Sequence, residues 1–143
     1  MNVHVHEVSW ESHQTELRAV RNAVFIEEQN VPRDLEWDGM DETSNHFIAE
    51  TSDGDVIGTA RLMSSGQIGR MAILIPYRGH GIGRRLLDMA IQSASRSGMK
   101  EVFLHAQSYA LEFYLKAGFI ADGLEFEEAG IPHRSMTRST EDR

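Results

Sequence analysis

The chain has 143 residues, of which 41% are apolar and 25% charged, with a formal net charge of −8. One domain over residues 1–143 is expected, with a core of its own. The acidic balance argues against nucleic acid as a partner, and no apolar run reaches the roughly 18 residues of a membrane span. Without cysteine there is no disulfide, thiolate metal site or cysteine nucleophile, which with the lack of an apolar leader points to the cytoplasm.

In chain order, Val3, Val5 and Val8 alternate with polar residues and predict a strand. His4 and His6 fall on its other face, and with no third ligand near they read as exposed strand histidines rather than metal ligands. Ser12 or Thr15 is placed to cap a helix with the apolar stripe Leu17, Val20 and Val24, running to about Phe25. Residues 27–40 contain Pro32 and Gly39 and no clean period, which predicts loop with a short helical piece. His46 to Thr51, Val56 to Met63 and Gln67 to Ile75 predict a three-strand meander, turning at Asp53-Gly54 and Ser65-Gly66. Gly69 inside the third strand predicts a bulge that frees backbone amides for a ligand.

Met71 to Ile75 is apolar, and Pro76 ends it. Gly79, Gly81 and Gly83 follow at alternate positions, and a helix opens at about Gly83 with Leu86, Leu87, Ala90, Ile91 and Ala94 on one face. Its first amides lack partners within the helix and lie at the positive end of the dipole. Arg78, Arg84 and Arg85 add charge, so the stretch reads as a pyrophosphate cradle. It is not a P-loop, because Arg84-Arg85 stands where Lys-Ser/Thr is needed, nor a dinucleotide fingerprint, because the third glycine spacing fails. The helix ends near Gly98. A strand over Glu101 to Ala106, a short helix capped at Ser108 with Leu111, Phe113, Tyr114 and Ala117 inward, a strand from Phe119, a turn at Gly130-Ile131-Pro132 and a strand over His133 to Arg138 complete the order.

The charge is uneven. Glu27, Glu28, Asp34, Glu36, Asp38, Asp41 and Glu42 stand against Arg33, whereas the glycine loop is basic. Two ligands of opposite sign are expected, one of them cationic.

Arg78-Gly79-His80-Gly81-Ile82-Gly83 resembles the coenzyme A loop, Arg/Gln-x-x-Gly-x-Gly/Ala, of the GNAT superfamily of N-acetyltransferases. Gln107-x-x-Ala110-x-x-Phe113-Tyr114-x-Lys116-x-Gly118-Phe119 is similar to the family's Asn-x-x-Ala to Tyr-x-x-x-Gly-Phe segment, with Gln107 in place of the usual Asn. Val24-Phe25-x-x-Glu28-Gln29, Glu36-x-Asp38-x-x-Asp41, Leu104-His105-Ala106-Gln107 and Gly130-Ile131-Pro132-His133 resemble the ElaA/YjcF-like branch.

The resemblance implies an α/β fold with a mixed, mostly antiparallel sheet of about seven strands and helices on both faces. It implies acetyl-CoA in a V between the strand ending at Ile75 and the strand starting at Glu101, and no metal. Met71, Ala72 and Ile73 would meet the pantetheine, one of their amides polarising the thioester carbonyl. Arg78, Gly79, His80, Gly81, Ile82, Gly83 and Arg84 would hold the pyrophosphate. Arg84, Arg85 or Lys116 would reach the 3′-phosphate, and Gln107 and Phe113 would flank the cofactor. Tyr114 is the expected general acid or thiol-positioning group. Glu28, Glu36, His105 and His133 are candidate bases, histidine being the side chain that ordinarily titrates near neutrality. Glu28, Glu36 and Asp38 are expected to attract a small cationic amine. Acetylation of a protein or peptide is the enzymatic alternative, and a non-catalytic CoA-binding module the other. A homodimer is also implied.

Overall fold

The computed structural model describes residues 2–141. Seven strands form two antiparallel sheets among them, in the orders β1-β2-β3-β4 and β5-β7-β6. The elements are β1 (Val3–Val8), α1 (Trp10–Arg21), a π-helical turn (Asn22–Glu28), α2 (Arg33–Glu36), β2 (Asn45–Thr51), β3 (Val56–Leu62) and β4 (Ile68–Ile73). After these come α3 (Ile82–Arg96), β5 (Glu101–Gln107), α4 (Leu111–Lys116), β6 (Ile120–Glu128) and β7 (Ile131–Ser139).

The first sheet is covered on both faces, and the pleat explains how. On β2, Phe47 and Ala49 join β1, β3 and α3 in the main core, while Ile48 points the other way onto Trp10 and Leu17 of α1. Leu86, Leu87, Ala90 and Ala94 are the buried stripe of α3, spaced as an amphipathic helix requires. Gly58 lets that helix approach: a Cβ there would lie 2.8 Å from Ile73 Cδ1 and 3.2 Å from Leu86 Cδ1.

Several boundaries differ from expectation. Ser9, not Ser12 or Thr15, caps α1, accepting from the Ser12 N–H at 3.1 Å. The stripe through Val24 carries the helix past Phe25 as a π-helical turn to Glu28. The third meander strand stops at Ile73, because Ile75–Tyr77 is a 3₁₀ turn, and Ile75 is exposed rather than buried. Ser108 caps nothing; its Oγ bonds Glu125 at 2.8 Å. Phe113 is 37% exposed on α4 rather than inward. The last hairpin turns at Ala129-Gly130, one residue earlier than expected, since Glu128 already pairs with Ile131.

Candidate active site

β4 and β5 run parallel and meet at their starts. Gln67 bridges Phe103, and Phe103 N–H donates to Gly66 O at 3.1 Å. Beyond that point β4 pairs with β3 and β5 with β7. The two sheets therefore splay, and a cleft of about 790 Å³ opens between them. Gly69 to Ile73 form one wall, and Leu104, His105, Gln107, Ile131 and His133 form the other. The π-helical turn and the segment through Asp38 roof it, and Phe113 and Tyr114 close its base.

The bulge is present, centred one residue beyond Gly69. Arg61 pairs with Gly69 and Thr59 with Ala72, so Arg70 and Met71 together oppose Ala60. Arg70 has φ +49, a left-handed conformation that costs a side-chain-bearing residue. The glycine loop has the predicted shape. Gly79 and Gly81 have φ +84 and +77, and open space surrounds the Cβ position of each. Gly81 is the N-cap of α3 and has no side chain to satisfy its first amides. This is an uncapped helix start facing open space, which fits a phosphate-bearing ligand. His80 lies exposed in this loop, while the Ile82 side chain is buried in the core.

The basic residues divide. Arg85 is turned away, donating to Val3 O at 2.9 Å. Arg84 pairs with Asp88 at 3.0 Å and reaches Lys116 O at 3.5 Å, so Arg84 and Lys116 are neighbours. Arg78 donates to Ile73 O at 2.8 Å and grips Glu28. That hydrogen bond holds the Glu28 carboxyl below its usual range.

The acidic segment is not the free anionic surface expected. Arg21 pairs with Glu36 and Asp41, each at 2.7 Å. Arg61 pairs with Asp38 at 2.9 Å and Asp41 at 3.1 Å. Arg70 lies 3.3 Å from Glu36 and 3.2 Å from Asp38. Three guanidinium groups thus neutralise three carboxylates, and Arg21 and Arg18 also lie against the rings of Trp10 and Trp37. Glu36 is 2% exposed, and burial pushes its carboxyl up against the pull of Arg70 and Arg21. Burial acts on Asp38 too and is the largest single effect, but the hydrogen bonds from Arg61 and the Met40 N–H and the charges of Arg61 and Arg70 together outweigh it and hold the group at about 2.

Of the four carboxylates lining the cleft, Glu28, Glu36 and Asp38 are thus bonded to arginines. The fourth, Glu128, went unnoticed in the sequence. It ends β6 and lies 2.9 Å from His105 Nδ1 and 3.9 Å from His133 Nε2. Pairing of β7 with β5 and β6 brings these three together. His133 is 6% exposed, and its Nδ1 lies 2.7 Å from Ile131 O. A carbonyl accepts only, so Nδ1 carries the hydrogen and Nε2 of the neutral ring is an acceptor. Phe126 stacks on His133, centroids 6.0 Å apart. Gln107 reaches across to Gln29 Oε1 at 2.9 Å.

Tyr114 lies below the bulge. Its hydroxyl is 3.8 Å from Met71 Sδ, a weak acceptor, and burial pushes the phenol up to about 12.

Residues 12–140 match the family model described as an acetyltransferase (GNAT) domain. The N-acetyltransferase YjcF of Bacillus subtilis is 33% identical over 122 residues, covering 83% of this chain and 87% of that one. The crystal structure of Escherichia coli ElaA superposes with a TM-score of 0.84 at 29% identity, over 95% of this chain and 99% of that one. An acyl-CoA N-acyltransferase from Pseudomonas aeruginosa gives the same TM-score and identity, over 96% and 99%. The family model and the likeness in sequence and fold extend along nearly the whole chain, which belongs to the GNAT acetyltransferase family and is an acyl-CoA-dependent N-acetyltransferase.

Proposed function

We propose that this chain moves the acetyl group of acetyl-CoA directly to the nitrogen of a small amine, with both substrates bound together. The single observation carrying this reading is the Tyr114 hydroxyl. It lies half-buried in the cleft below the bulge with a thioether as its partner, free to exchange that weak contact for a better one.

The amides of Gly79 to Arg84 hold the pyrophosphate at the start of α3, and neighbouring Arg84 and Lys116 take the 3′-phosphate. Met71, Ala72 and Ile73 line the pantetheine arm, while Gln107 and Phe113 bound its lower side. A main-chain amide of the bulge donates to the thioester oxygen as negative charge grows there. His133 Nε2 accepts a proton from the incoming ammonium, whose ordinary pKa is about 10.4, so that a neutral nitrogen attacks. Glu128 steadies the imidazolium so formed, and His105 shares that carboxylate.

Tyr114 acts by hydrogen bonding. Burial favours the protonated phenol, so Tyr114 keeps its proton and donates a hydrogen bond to the departing sulfur, which takes the proton that the new amide nitrogen sheds. The net charge of −8 supports a cationic acceptor through long-range steering, with Glu128 as the carboxylate of the cleft lining that no arginine pairs.

The test is release of CoA thiol from acetyl-CoA over a panel of polyamines, amino sugars, amino acids and lysine peptides, with Tyr114→Phe in parallel. Turnover on one small amine, falling about 10²-fold or more in the variant, is expected. Turnover confined to lysine peptides moves the acceptor to protein. Tight binding of acetyl-CoA with no release on any amine removes the enzymatic reading of the small-amine site.

A further inference from the structure

We propose that Arg70 is a positioning residue: it holds the β4 bulge in register with the acetyl group, and Glu36 and Asp38 hold Arg70. This rests on the reading above that a bulge amide polarises the thioester carbonyl.

Three facts combine. Arg70 has φ +49 in mid-strand, where a non-glycine residue is held against its preference. Its carbonyl is removed from the ladder by the bulge and accepts instead from Thr59 Oγ1 at 3.0 Å. Its guanidinium is clamped from the roof: Nη2 donates to the main-chain carbonyls of Leu35 at 3.1 Å and Glu36 at 3.0 Å and to Asp38 Oδ2 at 3.2 Å, and Nε forms an ion pair with the Glu36 carboxylate at 3.3 Å. Arg21 and Arg61 anchor the same two carboxylates from behind. One side chain therefore fastens the roof to the strained point of the wall, and the next residue in the chain is Met71, which lines the cleft. The strain is held by contacts outside the strand itself, so removing the clamp lets residue 70 relax and the amide turn.

Glycine and alanine separate this role from every other role Arg70 could have. Neither retains the guanidinium, but glycine adopts positive φ freely and alanine does not. Arg70→Gly, Arg70→Ala, Glu36→Gln and the half-exposed Asp38→Asn are each loaded with acetyl-CoA labelled with ¹³C at the carbonyl, and the carbonyl resonance is read by NMR alongside the affinity for CoA. Melting temperatures check that each variant is folded. Wild type is expected to shift the carbonyl downfield on binding. Arg70→Gly is expected to retain most of that shift, while Arg70→Ala loses most of it, with CoA affinity within about threefold in both. Turnover with the best amine of the panel follows the same order, Arg70→Ala falling about tenfold to a hundredfold. If Glu36→Gln fails to fold, Asp38→Asn carries the roof-side arm, with a smaller loss.

Equal impairment in Arg70→Gly and Arg70→Ala, or an unchanged shift in Arg70→Ala, overturns the proposal while leaving the oxyanion role of the bulge intact. No shift in wild type despite tight binding overturns that role itself.

Discussion

Arg78 grips Glu28 by two prongs, Nη1 to Oε2 at 2.9 Å and Nη2 to Oε1 at 2.7 Å. The pair joins the π-helical roof to the first residue of the glycine loop. A carboxylate held this way is stabilised in its charged form and is a poor proton acceptor. Glu28→Gln is therefore expected to leave kcat within about threefold. The pair is partly exposed, so its loss is worth at most about 1 kcal/mol; CoA affinity changes by no more than about fivefold, towards tighter binding as Arg78 is released. A kcat loss beyond tenfold would return Glu28 to the reaction.

His133 carries the opposite expectation. Its Nδ1 is committed to Ile131 O, and its Nε2 faces Glu128 across 3.9 Å. His133→Gln should lower kcat about 10²- to 10⁴-fold with little change in the KM for acetyl-CoA. His105→Gln should cost less than about tenfold, because its ring bonds Glu128 directly and acts through it. If the two variants exchange ranks, His105 is the proton acceptor and His133 the support.

The glycine loop and the meander were legible because their signals are local. Asp53-Gly54, Gly98 and Gly79-x-Gly81 each specify a turn within a few residues, and Gly54, Gly98, Gly79 and Gly81 all have positive φ. The ion pairs of the acidic segment were not legible because the partners are distant: Arg21, Arg61 and Arg70 come from α1, β3 and β4. A clue was present, since Arg61 stands between apolar Ala60 and Leu62 in a strand and Arg21 follows Val20 on a buried stripe. Cations embedded in apolar patterns demand buried counterions. Glu128 gave no such clue. Its meeting with His105 and His133 depends on the register of three strands, which no spacing within one of them reveals.

His46 makes stability depend on pH in a defined direction. It is 1% exposed, with its ring tilted against Trp10 and Nε2 2.8 Å from Asp41 O. Burial holds it below the ordinary imidazole value of about 6.5. The unfolded chain therefore binds this proton first, and unfolding becomes more favourable as pH falls below about 6.5. The contribution is fully present above that pH and is lost as pH falls towards the lowered native value. Thermal melts between pH 7.5 and 5.5, above the carboxylate range, should show a falling melting temperature. His46→Gln, which keeps a donor but does not titrate, should show a shallower fall, and an identical slope in both proteins would assign the acid sensitivity elsewhere.

The β6–β7 turn offers a gain in stability beside the cleft. Ala129 and Gly130 have φ +55 and +76, the signs of a type I′ turn, for which Asn-Gly is the favoured pair. Alanine resists the left-handed region by about 1–2 kcal/mol, whereas asparagine tolerates it through local hydrogen bonding. Ala129→Asn should therefore raise stability by about 0.5–1 kcal/mol, or roughly 2–4 °C in melting temperature for a chain of this size. Turnover is the second reading. Glu128, the residue before the turn, holds His105 at 2.9 Å, and the Asn-Gly turn keeps the same backbone. Unchanged kcat with a higher melting temperature makes the strain a dispensable feature of the sequence. A higher melting temperature with kcat reduced tenfold makes it part of how Glu128 is presented to the two histidines.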